Sequence, residues 1–322
     1  MALFDLPLTE LRTYQSASAM PDDFDDFWAQ TLKEARRHDL NPRFAPVETG
    51  LETVRVLDVT FNGFGGHPVK GWLALPAAVT EPLPAVVQFI GYGGGRGLPH
   101  THLLWASTGR AHFVMDTRGQ GTRPTSVGDT PDPAGTGPSG AGFMTRGIEA
   151  PETYFYRRVF TDAVRAVEAA RAHPLTQETR TTVLGTSQGG GIALAVGGLV
   201  PDLAAVLPNV PFLCDFPRAT TLTNRHPYRE IGDYLSAHRG KTGQVHTTLS
   251  YFDGVHFASR ATAPTLFSTA LEDRTCPPST VFAAYNAWAH PDKEIEVYDF
   301  NDHEGGGPYH DAAAMRWLAD RC

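Results

Sequence analysis

The stretch of sequence that decides the fold covers residues 181–196 and reads TTVLGTSQGGGIALAV. Its first four residues form a short run that is typical of a buried strand, and residues 192–196 are typical of a buried helix. Between them, Ser187 lies at the centre of Gly185-Thr186-Ser187-Gln188-Gly189, the pattern of a sharp strand-to-helix turn that exposes a serine hydroxyl. A side chain at either flanking glycine would collide with the neighbouring strand or helix. Ser187 is therefore the candidate nucleophile.

The Gly-x-Ser-x-Gly spacing is weak evidence by itself. A chain with 32 glycines among 322 residues contains such spacings by chance, and an ordinary glycine-rich loop would look the same. The strand before the serine and the helix after it favour the sharp turn over the loop. The partners of Ser187 must therefore be sought at matching positions further along the chain.

Length and composition indicate a globular protein that does not bind polyanions. The 322 residues could form two average domains, but no linker rich in Ser, Gly or Pro divides them, so we predict a single domain over residues 1–322. That domain would include a helical extension at about 1–45 and an insertion at about 215–259. The formal net charge of −8, without a basic cluster, argues against nucleic acid or an anionic membrane surface as a partner.

The cysteines and the first residues predict a cytoplasmic protein. Cys214, Cys276 and Cys322 are odd in number and widely spaced, which fits neither a disulfide framework nor a zinc site. Residues 1–7 lack the basic start of a secretory signal, and apolar runs such as 192–200 are far shorter than the ~20 residues of a membrane helix. We therefore predict reduced thiols, no membrane segment and a cytoplasmic location.

From residue 85 onwards the pattern alternates between strand and helix. Short apolar runs predict buried strands, and longer stretches with helical periodicity separate them. The strands are expected at 85–90, 112–116, 182–184, 204–207, 265–268 and 295–298, and the helices at 154–172, 192–199, 279–288 and 311–320. This alternation predicts an α/β fold with a doubly wound, mostly parallel sheet, which binds ligands beyond the carboxyl ends of its strands.

A helix and a hairpin precede the alternation, and two further segments do not fit it. Residues 21–37 predict an amphipathic helix on the outside of the core, and residues 54–61 and 69–75 predict an antiparallel hairpin at the start of the sheet. Residues 121–151, rich in Gly, Pro, Thr and Asp, predict a long surface loop. Residues 215–259 predict helical insertions over the sheet, and no chemical role can be given to them from the sequence.

His303 is the preferred general base. In a serine site built on such a turn the chain order is serine, acid, histidine, so the base lies well downstream of Ser187. Residues 295–300 form the last predicted strand, and His303 follows its end, where a loop can return the imidazole to the serine. His310 begins the terminal helix, where a capping or surface role is expected. His290 precedes the strand and belongs at the opposite edge of the sheet.

Asp273 is the preferred acid. The strand at 265–270 leads into Leu271-Glu272-Asp273-Arg274. Asp273 is favoured over Glu272 because the following turn leads directly into a helix, which leaves the shorter carboxylate near the edge of the sheet. The alternative is an acidic loop paired with Arg274. In a triad, the histidine removes the serine proton and the carboxylate holds the imidazole in the right tautomer.

Two backbone N–H groups are expected to stabilise a developing oxyanion. One belongs to Gln188, which follows the nucleophile. The other belongs to Tyr92 in Gly91-Tyr92-Gly93-Gly94-Gly95-Arg96-Gly97, whose glycines allow the backbone to approach a ligand closely. This loop could instead hold phosphate, but it matches neither dinucleotide-binding nor Walker spacing. His100 and His102 form a close pair without a nearby carboxylate or cysteine, so we predict no cofactor and no metal.

Three motifs follow one another along the chain: Asp116-Thr117-Arg118-Gly119-Gln120-Gly121, Gly185-Thr186-Ser187-Gln188-Gly189-Gly190 and His303-Glu304. In this order they resemble the motifs of the acetyl xylan esterase / cephalosporin C deacetylase family of carbohydrate esterases. The similarity extends through residues 21–28, 91–97 and 276–286, and so covers nearly the whole chain. The resemblance implies an α/β-hydrolase fold, removal of acetyl groups from oligosaccharides and from cephalosporin C, and a disc-shaped homo-hexamer whose active sites face an internal cavity.

The resemblance also implies roles for individual residues. Ser187, Asp273 and His303 match the catalytic triad of the family, and Tyr92 and Gln188 match its oxyanion hole.

Three further residues, Arg118, Gln120 and Glu304, match positions that support the site rather than react. We expect Arg118 and Gln120 to have a structural role, in an ion pair and a turn. We expect Glu304 to orient its loop. One departure is Gly93, where the family would have a polar residue such as asparagine after the tyrosine. We expect this difference to change the substrate preference without removing the backbone N–H donor of Tyr92.

We therefore expect a serine esterase that forms an acetyl-enzyme on Ser187 and acts on a small acetylated substrate. A general short-chain carboxylesterase or a peptidase would use the same fold and triad, which do not specify a substrate. A non-catalytic binding protein would lack a triad member, and all three residue types are present. A metal-dependent deacetylase would need the additional ligands that the histidine pair lacks.

Overall fold

The computed structural model describes residues 4–134 and 139–321. Residues 1–3, Cys322 and positions 135–138 of the predicted loop 121–151 lie outside the described residues, and so do the predictions made for them. The strands are β1 Arg43–Val47, β2 Val54–Asn62, β3 Pro68–Pro76, β4 Leu83–Phe89, β5 Ala111–Met115, β6 Thr122–Arg123, β7 Ser126–Val127, β8 Thr176–Thr186, β9 Ala205–Asn209, β10 Thr265–Ala270 and β11 Lys293–Tyr298.

Helices separate most of these strands. The α-helices are α1 Leu8–Leu11, α2 Phe24–Ala35, α3 Leu104–Ser107, α4 Phe155–Arg171, α5 Gln188–Leu199, α6 Phe216–Leu222, α7 Tyr228–Ala237, α8 Thr242–Ser250, α9 Gly254–Ala258, α10 Pro278–Ala287 and α11 Gly307–Ala319. Short 3₁₀ helices cover Phe64–Gly66, Pro99–Thr101, Phe143–Thr145 and Arg239–Lys241.

Nine of the described strands form one sheet in the order β1-β2-β3-β5-β4-β8-β9-β10-β11, and β6 and β7 form a separate hairpin. The first three strands pair antiparallel, and β3 also pairs antiparallel with β5. From β5 to β11 all neighbours are parallel. The doubly wound, mostly parallel sheet predicted from the alternation is confirmed. Its strand order reverses between β4 and β8, which is where ligands bind in such sheets.

Helices cover both faces of the sheet because each central strand is apolar on both sides. Val87 and Val183 pack into the large cluster that contains the residues of α4 and α5. Their neighbours Val86 and Leu184 face the other way and pack with residues of α3 and α11. The helix α5 is buried along residues 188–197 because sheet strands, α4 and α9 surround it. The helix that follows Ser187 therefore has little freedom to move.

The amino-terminal segment differs from its prediction in one respect. The amphipathic helix expected at 21–37 is present as α2, and it buries Phe24, Trp28 and Leu32. The strand β1 begins at Arg43, at the end of the segment of about 1–45 that was predicted as a helical extension. Its five residues pair antiparallel with β2 at the edge of the sheet. Pro46 is tolerated in this strand because the strand lies at the edge of the sheet.

The inserted segment of about 215–259 contains the four helices α6, α7, α8 and α9. It contacts the amino-terminal helix directly, since the indole N–H of Trp28 donates a hydrogen bond to the carbonyl oxygen of Tyr251 over 2.9 Å. Among the described residues, none of the helices combines the length and the apolar character needed to span a bilayer.

Candidate active site

Ser187 lies at a strained turn between β8 and α5. Its φ of 60° and ψ of −119° are costly for a residue with a side chain, and such strain persists only where the surroundings enforce it. A Cβ on Gly185 would lie 2.3 Å from the carbonyl carbon of Gly189, and a Cβ on Gly189 would lie 2.2 Å from the carbonyl oxygen of Phe89. Both positions therefore require glycine. The N–H of Ser187 donates to the carbonyl oxygen of Asn209 over 2.9 Å, which ties the turn to β9.

The three residues predicted as a triad meet at this turn. The hydroxyl of Ser187 lies 2.9 Å from Nε2 of His303, and Nδ1 of His303 lies 2.8 Å from Oδ2 of Asp273. Because Asp273 accepts, Nδ1 carries the proton and Nε2 is left to accept from Ser187. This is the tautomer in which a histidine can act as a base toward a serine.

Asp273 is fully buried, and both of its carboxylate oxygens take part in hydrogen bonds. Its Oδ1 accepts the backbone N–H groups of Thr275 and Cys276 over 2.8 and 2.9 Å, while Oδ2 faces His303. The turn after β10 therefore fixes the carboxylate before any substrate binds. Of the two acids considered from the sequence, Asp273 and not Glu272 contacts the histidine.

The expectation of a capping or surface role for His310 is wrong. Its side chain is buried, with Nε2 2.7 Å from Oδ1 of Asn209 and Nδ1 3.2 Å from the hydroxyl of Tyr298. Burial lowers the pKa of His310 to about 4, so the imidazole is neutral near pH 7. Because Asn209 also accepts the N–H of Ser187, His310 supports the turn from behind.

Tyr92 and Gln188 carry the two backbone N–H groups expected to bind an oxyanion. Within residues 4–134 and 139–321, neither group donates a hydrogen bond to the protein, so both are free to donate to a ligand. Tyr92, Ser187 and His303 line one cavity of about 570 Å³ at the carboxyl ends of β4 and β8. This is the size of a small-molecule site.

Gln120 joins the two loops that carry these N–H groups. Its Oε1 accepts the N–H of Gly93 over 2.7 Å, and its Nε2 donates to Oε1 of Gln188 over 2.9 Å. The side chain of Gln188 also donates to the carbonyl oxygen of Ile90 over 3.1 Å and accepts from the hydroxyl of Tyr156 over 2.8 Å. Side-chain amides therefore hold the loop of Tyr92 and the turn of Gln188 at a set distance. Gln120 thus connects two parts of the site, whereas the sequence had predicted only a role in a turn.

Arg118 lies in a buried ion-pair cluster and not in the cavity. Its Nη2 donates to Oδ1 of Asp162 over 2.7 Å, and its Nη1 lies 3.5 Å from Oδ1 of Asp132. Asp132 in turn accepts from Nη2 of Arg158 over 2.8 Å. This geometry fits the structural ion pair favoured from the sequence.

Glu304 lies in the same loop as His303. Its Oε1 accepts a hydrogen bond from Nδ2 of Asn301 over 2.6 Å. The contact bridges the loop across His303, as expected for a residue that orients it.

Three side chains that could bind a metal ion lie together, but two of them are hydrogen-bonded to each other. Asp273, Cys276 and His303 offer a carboxylate oxygen, a thiol and a ring nitrogen within 4.8 Å of one another. The oxygen and the nitrogen bond to each other within the triad, and burial raises the pKa of the Cys276 thiol well above its usual range. In the described part of the chain, no other group of three such side chains comes together, and His102 contacts the backbone oxygen of Arg96 instead.

Sequence reasoning missed one buried charge in the cavity, that of Glu230 on α7. Its carboxylate accepts a hydrogen bond from the hydroxyl of Tyr92 over 2.7 Å. Glu230 lies in an amphipathic helix with neighbours such as Arg229 and Asp233, where a glutamate usually faces solvent. No local pattern in the sequence distinguishes it from an exposed residue.

Known proteins resemble this chain over nearly all of its length. A sequence model of the family described as acetyl xylan esterase (AXE1) matches residues 1–321. The solved acetyl xylan esterase from Paenibacillus sp. R4 is 38% identical, with a TM-score of 0.92 over 98% of this chain and 100% of that one. Acetyl xylan esterase 1 from Thermoanaerobacterium sp. JW/SL YS485 is 32% identical, with a TM-score of 0.89 over 98% of this chain and 99% of that one.

A curated relative is longer than this chain. Acetyl esterase Axe7A of Xylanibacter ruminicola is 27% identical over an alignment of 302 residues, and this alignment covers 88% of this chain and 63% of that protein. The family match and the two solved structures, by contrast, span nearly the whole chain. The chain therefore belongs to the acetyl xylan esterase family, a family of carboxylic ester hydrolases with the α/β-hydrolase fold.

Proposed function

We propose that this protein is a serine esterase that removes acetyl groups from small acetylated substrates, with xylo-oligosaccharides and cephalosporin C as candidates. The observation that carries the proposal is the line of hydrogen bonds from Ser187 through His303 to Asp273, with distances of 2.9 and 2.8 Å. Membership of the acetyl xylan esterase family supports acetyl esters as the substrate class.

In the first half of the reaction, the acetyl group moves to the enzyme. Oγ of Ser187 attacks the ester carbonyl carbon while its proton passes to Nε2 of His303. The carbonyl oxygen becomes an oxyanion that accepts from the N–H groups of Tyr92 and Gln188. The intermediate collapses, the C–O bond to the alcohol breaks, and His303 returns the proton to the leaving oxygen. An acetyl ester of Ser187 remains.

In the second half, water takes the place of the alcohol. His303 removes a proton from the water, which attacks the acetyl carbon, and the same two N–H groups bind the second oxyanion. Collapse releases acetate and returns the proton to Ser187. Asp273 stays ionised and stabilises the imidazolium in both halves. No cofactor takes part in this scheme.

The first experiment compares p-nitrophenyl esters with acetyl, butyryl and octanoyl chains, using the native chain and Ser187→Ala. We expect rapid acetyl hydrolysis that decreases with chain length and falls at least ~10⁴-fold in the variant, because the nucleophile is lost. The matched control is Ser236→Ala, which removes an exposed hydroxyl on α7 and should retain native activity.

Each other outcome has a defined meaning. Activity that survives in Ser187→Ala would overturn the nucleophile assignment. Equal or better hydrolysis of octanoyl esters would favour a general carboxylesterase. A native chain that is inert to all three esters but cleaves acylated peptides would favour a peptidase. Acetate release from acetylated xylo-oligosaccharides and from cephalosporin C then compares the two candidate substrates directly.

The homo-hexamer, the single domain over residues 1–322 and the cytoplasmic location belong to the same proposal. Native mass spectrometry tests the first, since a hexamer has six times the mass of the chain. A single cooperative unfolding transition would support one domain.

A further inference from the structure

A buried carboxylate lies beside the serine site and has no place in the triad mechanism. Glu230 is 9% exposed and lines the same cavity as Ser187 and His303. It is carried by α7, in the inserted segment of about 215–259 that had no chemical role. An anion in such a place is costly unless hydrogen bonds replace the lost water.

Three donors replace that water. The hydroxyl of Tyr92 lies 2.7 Å from both carboxylate oxygens of Glu230. The N–H of Gly142 lies 3.1 Å from Oε1, and the N–H of Met144 lies 3.2 Å from Oε2. The oxygen of Tyr92 also accepts the N–H of Phe143 over 2.9 Å. One carboxylate therefore joins α7, the 142–144 segment and residues 91–97, the oxyanion loop, which carries the Tyr92 N–H.

The phenol of Tyr92 is the donor in this contact. Burial raises the pKa of Tyr92, and the hydrogen bond to Glu230 raises it further. The phenol therefore keeps its proton near neutral pH, and its O–H donates the hydrogen bond that a carboxylate oxygen of Glu230 accepts. A charge-assisted hydrogen bond of this kind is stronger than one between neutral groups.

The oxyanion loop needs such an anchor because its backbone is intrinsically flexible. Tyr92 stands between Gly91 and Gly93, and Gly93 adopts a φ of +76° that other residues rarely take. On the backbone side, the loop is held by the Gln120 contact to the N–H of Gly93. On the side-chain side, the ring of Tyr92 packs edge-on against Phe143 at 5.4 Å between centroids, and its hydroxyl is held by Glu230.

We propose that Glu230 is a positioning residue for ester hydrolysis: by holding the phenol of Tyr92, it fixes the direction of the Tyr92 backbone N–H toward the oxyanion. The inference rests on the proposed function, since it needs that N–H to act as an oxyanion donor. Glu230 itself touches neither the reacting atoms nor the triad. Its loss should weaken transition-state binding and leave ground-state substrate binding largely intact.

The test uses the full chain with Glu230→Gln, Tyr92→Phe and the double variant. The matched control is Asp233→Asn, the same carboxylate-to-amide change one turn along α7, where the side chain is exposed and pairs with Arg229. Steady-state kinetics with p-nitrophenyl acetate give kcat and KM. Inhibition by 1,1,1-trifluoroacetone, which forms a tetrahedral oxyanion on a serine, gives a readout of the oxyanion hole alone.

We expect Glu230→Gln and Tyr92→Phe each to lower kcat about 10- to 100-fold, less than the 10²- to 10³-fold loss on deleting a donor outright. KM should change less than threefold, and the inhibition constant for the ketone should rise in parallel with the fall in kcat. Because both variants break one contact, the double variant should be no slower than the slower single variant. Asp233→Asn should match the native chain.

Several outcomes would overturn the inference. One is native kcat in both single variants, and another is multiplication of their effects in the double variant. A third is a loss of kcat that leaves ketone inhibition unchanged, since a purely structural defect would not track the oxyanion. If Glu230→Gln fails to fold, Tyr92→Phe decides alone, because it removes only one oxygen. If Ser187→Ala retains activity, the proposed function fails first, whatever the Glu230 variants do.

Discussion

At the scale of single residues, the site depends on Asp273 presenting acceptors in two directions. Oδ2 faces His303, and Oδ1 accepts two N–H groups from the turn that follows β10. An asparagine can keep its oxygen toward the turn only by pointing its amide N–H₂ at the histidine. The imidazole must then accept at Nδ1 and carry its proton on Nε2, where it cannot remove a proton from Ser187.

Asp273→Asn should therefore lower kcat by about 10⁴-fold while the protein remains folded. The measurement is p-nitrophenyl acetate hydrolysis, with circular dichroism melting to check the fold. Glu272→Gln, the same change at the adjacent acid, should retain native activity. If Glu272→Gln is the inactive variant, the choice of acid is wrong.

The sequence was sufficient to find the residues whose place follows from chain order. Ser187, Asp273 and His303 each follow a strand of a parallel sheet, and the carboxyl ends of such strands meet at one edge. Glu230 and His310 could not be found in the same way. Both are polar residues on helices, and they are buried only because of what packs against those helices in three dimensions.

At the scale of elements, Arg118 connects the loop after β5 to α4 and to the long loop before it. The arginine is fully buried between Asp162 of α4 and Asp132, and Asp162 also accepts the N–H of Phe64 over 2.8 Å. Removing the guanidinium of Arg118 would leave the buried carboxylates of Asp132 and Asp162 with fewer hydrogen bonds and less opposite charge nearby. Breaking a buried ion pair in this way costs more than losing an exposed one.

We predict that Arg118→Met lowers the free energy of unfolding by about 3–5 kcal/mol while kcat per folded molecule stays near the native value. Urea unfolding measures the first quantity, and active-site titration followed by kinetics measures the second. Arg36→Met is a suitable control, because Arg36 pairs with Glu168 at the surface and should cost less than about 1 kcal/mol. A collapse of kcat without a loss of stability would assign Arg118 a direct part in the reaction.

Elements could be predicted where their periodicity is strong, as for α2, α4 and the buried strands. Their ends shifted by a few residues; β8, for example, extends from Thr176 to Thr186 where only 182–184 had been expected. The early part of that strand carries Glu178, Thr179 and Arg180, which are exposed, so it lacks the apolar run used to recognise it. The edge strand β1 was missed for a similar reason, since only one side of it packs on the protein.

At the scale of the whole molecule, alternation predicted the class of sheet but not the order of its strands. The order places β4 and β8 side by side, which brings the loop with Tyr92 to the turn with Ser187. The inserted helices then close one side of the cavity through α7. The position of an inserted segment over the sheet depends on packing between segments more than a hundred residues apart. No local sequence pattern predicts this position.

Burial of several histidines makes the stability of the whole molecule depend on pH. Burial lowers the pKa of His112 to about 3 and those of His256 and His310 to about 4. In the unfolded chain all three should titrate near pH 6.5. Below that pH the unfolded chain binds protons that the folded protein cannot, so stability present above pH 6.5 is lost as the pH falls.

We expect the free energy of unfolding to fall by at least about 3 kcal/mol between pH 6.5 and pH 5.5, since each of these three groups contributes about 1 kcal/mol in this window. Burial also lowers the pKa values of His67, His102, His173 and His246, which add to the fall. Urea unfolding at the two pH values measures the change. Burial raises the pKa values of Asp116, Asp215 and Asp253, and these carboxyl groups oppose the trend. In His310→Gln the fall should be smaller by about 1 kcal/mol. Unchanged or rising stability in this window would mean that the buried histidines are charged in the folded protein, which would contradict the neutral His310 that supports the turn at Ser187.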